Sequence, residues 1–123
     1  MILLSVELRE QLLANGRQRD IDHVPVVKFF NPLGESVWLA TELDADGDTL
    51  FGLADIGEPE LGNFSLEEMS SISLPFGMGI ERDILFTGDL PISAWAETAY
   101  HAGSIRAAER IVYAAARARR GST

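Results

Sequence analysis

Between Val24 and Ala54 short apolar runs alternate with turn-forming residues, and that pattern predicts strands. Val24 to Phe30 is β-branched and aromatic, with Pro25 confining its first residues to an edge or a strand start. Asn31-Pro32-Leu33-Gly34 is turn chemistry, and Ser36–Leu43 and Thr49–Ala54 read as the next two strands. Asp46-Gly47 between them predicts a two-residue hairpin turn, in which both central residues take positive φ. That register sets Leu43, Thr41 and Leu39 opposite Leu50, Gly52 and Ala54 on one face. Glu42, Ala40 and Trp38 then face Phe51, Leu53 and Asp55 on the other. Glu60–Phe64, weakened by Pro59 and Gly62, reads as a further strand, and Asp83–Thr87 as the last.

The period changes to helical in three places. Ser5 is placed to cap a helix carrying Val6, Leu8, Leu12 and Leu13, which stops at Asn15-Gly16. Ser65-Leu66-Glu67-Glu68 is a capping box. Ser93 is placed to cap a segment presenting Trp95, Ala96, Ala99 and Tyr100, and Ser104 a continuation through Ile105, Ala108, Val112 and Ala115. One kinked helix and two separate helices both remain open there. Short connections favour antiparallel neighbours, since parallel crossovers need a dozen or more residues. The expectation is a single α+β domain: an antiparallel meander of four to five strands, helices packed on one face, and a C-terminal helix. Residues 1–92 would form its core and 93–120 the C-terminal helical segment.

Composition narrows the chemistry. A chain of 123 residues, 46% hydrophobic and 24% charged, can bury one core without staples. It has no cysteine, so thiol chemistry, disulfides and thiolate metal sites are excluded. No stretch approaches the ~20 apolar residues of a membrane span, and Met1–Leu4 is too short for a signal peptide, so a cytoplasmic location is expected.

Charge is unevenly placed. From Phe29 to Glu81 there is no Lys or Arg, only eleven acids, within a chain of net charge −9. The C-terminal end carries Arg106, Arg110, Arg117, Arg119 and Arg120 against Glu109. Direct nucleic-acid binding needs clustered basic residues and is disfavoured. An acidic face of Glu42, Asp44, Asp48, Asp55 and Glu58 is expected to bind another protein with a basic surface. The alanines at 99, 102, 108 and 115 leave room for a second copy, so a weak homodimer is the further partner expectation.

No catalytic constellation emerges. Asp44-Ala45-Asp46-Gly47-Asp48 has its glycine fourth rather than sixth, with no glutamate at the twelfth position of a calcium loop. Gly77-Met78-Gly79 lacks the third glycine of a dinucleotide site. On the hairpin register Glu42 and Asp55 share a face ~13 Å apart, beyond the ~5–9.5 Å of paired glycosidase acids. Glu81-Arg82-Asp83 reads as a structural ion pair at a strand entry. The expectation is no metal and no cofactor. The alternative is a metal-dependent hydrolase or nuclease using Glu42, Asp55, Glu81 and Asp83, with His23 or His101 as a titratable partner.

Several phrases carry a resemblance: Val27-Lys28-Phe29-Phe30, Val37-Trp38-Leu39-Ala40-Thr41-Glu42-Leu43 running to Phe51-Gly52-Leu53-Ala54-Asp55, Glu60-Leu61-Gly62-Asn63-Phe64-Ser65-Leu66, and Glu81-Arg82-Asp83. In this order they resemble the domain of unknown function 2958 family. Its members often sit on plasmids, phages and integrative elements, so the resemblance implies a mobile-element accessory protein and transfers no catalytic residue. With the charge pattern it leads to an expected non-catalytic binder, an inhibitor of a host DNA-handling or defence enzyme.

Overall fold

Every residue of β2 (Val37–Leu43) is buried, which requires cover on both faces of the sheet. The structure is a computed structural model describing residues 2–121. β2 pairs with β1 (Val27–Phe30) on one side and β3 (Thr49–Asp55) on the other. β4 (Pro59–Ser65) and the two-residue β5 (Glu81–Arg82) complete an antiparallel sheet of order β4-β3-β2-β1-β5. The α+β meander stands as the pattern of turns implied.

The hairpin register is right near its turn and shifts beyond it. Leu43 pairs Leu50 and Glu42 pairs Phe51, but Ala40 then pairs Gly52, Leu39 pairs Leu53 and Trp38 pairs Ala54. A bulge at Thr41 absorbs the extra residue. Its carbonyl accepts the Asn15 side-chain amide at 3.0 Å, and its hydroxyl donates to the Phe51 carbonyl at 3.2 Å. Gly52 belongs to this close approach, because a Cβ there would overlap the Leu39 carbonyl oxygen. The bulge puts Trp38 and Ala40 on the face of Leu43 and Leu50, and Val37 and Leu39 on that of Leu53.

Asp46-Gly47 does lie in the turn, with a different geometry from the two-residue form. Gly47 alone takes positive φ (74°), and its amide bonds the Asp44 carbonyl at 3.0 Å. The Asp46 carboxylate instead accepts the Asp48 and Thr49 amides at 2.8 and 2.9 Å. An aspartate that satisfies the loop backbone needs no positive φ of its own.

The first face is covered by α1 (Val6–Gly16) and α2 (Leu66–Ser70), whose Leu12 and Met69 join Val27, Phe29, Trp38, Leu43 and Leu50. Ser5 caps α1 and Ser65 caps α2 through the Leu8 and Glu68 amides, as the sequence implies. The second face is covered by α3 (Ile92–Ala102) and α4 (Ile105–Gly121), with Trp95, Ala99, Ile105 and Ala108 on Val37, Leu39 and Leu53. The one-face expectation is thereby corrected: the shifted register makes both faces apolar, and helices cover both.

Gly103, at φ 95°, separates α3 from α4 as two helices. Ser104 caps α4 through the Ala107 amide at 3.0 Å. Ser93 caps nothing; its amide and hydroxyl both donate to the Asp22 carboxylate, which reaches the start of α3 from the 17–26 connector.

The predicted strand over Asp83–Thr87 is also corrected. The last backbone bond to β1 runs from the Asp83 amide to the Lys28 carbonyl at 3.0 Å, the Asp83 carboxylate accepts the Leu85 amide at 2.9 Å, and Ile84 and Leu85 stand 76% and 85% exposed. Beyond Asp83 its carboxylate and carbonyl hold a turn through Phe86, where a strand would have to continue. Among the described residues no helix is long and apolar enough to cross a membrane.

Candidate functional site

Five of the eleven acids in the 29–81 segment are engaged or enclosed within the fold. Asp55 is buried and accepts the Ile105 amide at 2.9 Å, so it holds the first residue of α4. Asp48 accepts the Ser65 hydroxyl at 2.8 Å and the Glu67 amide at 2.7 Å, securing the start of α2. Asp44 pairs with Arg19. The hydrogen bonds from Thr49 hold Asp46 below the usual carboxylate range. Glu42 is buried, and loss of solvent pushes its carboxyl above that range against the opposing pull of His23 and Arg19.

These positions do not form one surface. Asp44 and Asp48 stand at the β2–β3 loop, whereas Asp55 and Glu58 lie a strand length away, ~20 Å at the rise of a strand. The row Asp55–Val37–Phe30–Glu81 crosses four strands, so Asp55 and Glu81 are ~14 Å apart. Asp83 stands 3.5 Å from the Lys28 ammonium, and Arg82 donates to the Leu3 carbonyl at 3.0 Å. His23 is buried against the Gln18 carbonyl at 2.7 Å, and His101 is exposed on α3. Among the described residues no three His, Asp or Glu side chains come together as a metal site.

A buried ion pair lies outside the residues singled out from the sequence. Lys28 on β1 donates to both Glu109 oxygens, at 2.9 and 2.8 Å, and both side chains are almost fully enclosed. Tyr113, one helical turn on, is pushed to higher pKa by burial and by the Glu109 charge. The signal was present: Lys28 interrupts an apolar strand, and Glu109 is the single acid in a basic helix. This cluster ties α4 to the sheet.

Glu35 is exposed at 3.3 Å from Arg106, and four further solvated acids gather elsewhere. Glu58, Glu60, Glu67 and Glu68 are all exposed, on and flanking β4, one of the two edge strands. Among the described residues none of them forms an ion pair. Beside this edge lies an apolar cleft of about 270 Å³ lined by Trp38, Ile56, Phe64, Met69 and Ile72, with Glu68 at its rim. Ile56 is 70% exposed there. An open strand, an apolar cleft and four solvated carboxylates together suit the docking of a basic, partly apolar chain.

The family model described as "Protein of unknown function (DUF2958)" matches residues 3–106, a span that includes the sheet, α3 and the first residues of α4. Neither a curated protein nor a solved structure matches the chain.

Proposed function

The chain belongs to the DUF2958 family of proteins of unknown function, and from that premise we propose that it is a non-catalytic module that binds a basic partner protein on its β4–α2 side. The observation that carries the proposal is the set of exposed Glu58, Glu60, Glu67 and Glu68 beside an uncovered sheet edge, in a 29–81 segment without one Lys or Arg. Such a surface accelerates encounter with a positive patch and repels wrong, acidic partners. Glu42 and Asp55 drop out of the binding set: both are buried, and Asp55 holds the first amide of α4.

The finer reading is that of an accessory protein of mobile elements. Its acidic side would compete for a basic site that normally receives nucleic-acid phosphates, on a host DNA-handling or defence enzyme. The charge pattern supports this reading, since phosphate sites are built from the Lys and Arg that carboxylates also attract.

Affinity capture from host lysate at low and high salt tests the proposal. The Debye length falls from ~10 Å at 0.1 M to ~3 Å at 1 M salt, so a steered complex should be retained at the lower and released at the higher concentration. Reversing Glu58, Glu60, Glu67 and Glu68 to lysine should abolish retention. A partner retained equally by the reversed protein contradicts the proposal. A metal-dependent hydrolytic activity lost with Asp83→Ala would replace it.

A further inference from the structure

Resting on that reading, we infer that the partner segment docks as an extra β-strand on the outer edge of β4, with an apolar residue over Gly62 and basic residues two positions to either side. The backbone phase is set by one bond. The Leu66 amide donates to the Asp48 carbonyl at 3.0 Å, which makes 48 and 66 a bonded pair in the β3–β4 ladder. Antiparallel pairing alternates, so Phe64, Gly62 and Glu60 turn their backbone groups toward β3. Leu61 and Asn63 turn theirs outward, and among the described residues nothing bonds them. Those two residues supply two N–H and two C=O groups, the spacing a bound strand uses.

The edge is guarded by acidic charge alone. Sheets blunt their edges with lysine, proline or bulges. On β4 the proline is the first residue, Pro59, and both outward-bonding residues are uncharged.

Side-chain geometry then selects the occupant. Glu60, Gly62 and Phe64 share the face of Trp38 and Ala54. A Cβ added at Gly62 would meet nothing within 4 Å, so this part of the face is open beside the Trp38–Phe64–Met69 cleft. A strand residue opposite Gly62 points onto that face and finds apolar cover. Its neighbours two positions away meet Glu60 on one side and approach Glu68 on the other. The fitting segment therefore carries a basic residue, an apolar residue and a basic residue at alternate positions. A second copy fits less well, because self-pairing of β4 would bring two acidic surfaces together in chains of net charge −9.

The probe is the capped peptide Thr-Lys-Val-Leu-Val-Lys-Thr, which presents the same pattern in either direction. Binding should slow amide exchange at Leu61 and Asn63 by about tenfold or more, while a copy N-methylated at both valines, with the same charge, should bind at least about tenfold more weakly. Asn63→Pro should stay folded, because its amide faces away from β3, and should lose the peptide. Equal binding of the methylated peptide, or no protection at Leu61 and Asn63, overturns strand addition. If reversal of Glu60 and Glu68 still weakens that binding, the acidic-surface reading survives without the strand. If reversal does nothing, the parent reading fails as well. A dimer abolished by Asn63→Pro in sedimentation would assign the edge to a second copy and overturn the basic partner.

Discussion

Asp55 on the sheet and Ile105 on the last helix are joined by a 2.9 Å hydrogen bond from the Ile105 amide to the Asp55 carboxylate. The acid sits where a catalytic reading of the hairpin would want a base, yet its second oxygen anchors a helix start. An anion at that end also answers the positive pole of α4.

Asp55→Ala should therefore destabilise the fold by about 2 kcal/mol, the cost of a buried amide left without its acceptor. Asp55→Asn keeps an acceptor oxygen and should cost less than about half of that. Urea unfolding of both variants checks the order. Equal losses would mean that charge, and not the hydrogen bond, holds α4.

The Lys28–Glu109 pair makes a second prediction. Lys28→Met leaves a carboxylate enclosed without its cation and should cost about 3–5 kcal/mol, as breaking buried pairs does. Adding Glu109→Leu should recover a large part of that loss, because two apolar chains of similar size can fill the same space. A double variant as unstable as the sum of its singles would show the two side chains to be uncoupled.

How much of this was readable in advance depends on how local the cause is. The caps at Ser5, Ser65 and Ser104 and the turn at Asp46-Gly47 depend on neighbours within a few residues, and the sequence shows them. The bulge at Thr41 depends on Asn15, and the start of α3 on Asp22, contacts that no local pattern contains. The same holds for the acids. Their number was plain from the sequence, but Asp55 is buried where it meets the start of α4, and Glu42 where Arg19 of the connector lies beside it. Only Glu58 of the expected binding set remains on the exposed acidic edge, joined there by Glu60, Glu67 and Glu68.

Glu42 should make stability depend on pH. Burial raises its pKa from the ordinary 4.5, so the folded chain holds that proton more tightly than the unfolded one. Stability then falls as pH rises from the ordinary value through the raised one. Glu42→Gln should remove that slope and be more stable than the parent at neutral pH. The check is urea midpoints measured from acid to neutral pH; a parallel pair of curves would contradict the burial argument.

Gly52→Ala should cost about 3 kcal/mol, since its methyl group meets the Leu39 carbonyl and no flexible side chain is there to yield. Thermal melts would show it. Gly62→Ala, with open space around the added carbon, should melt within a few degrees of the parent.

The most direct test of the docking account is amide hydrogen exchange along the whole chain, with and without a captured basic partner. Protection on binding should concentrate at residues 59–68, in β4 and the start of α2. Protection confined to the 83–89 loop and α4, with β4 exchanging as before, would contradict it.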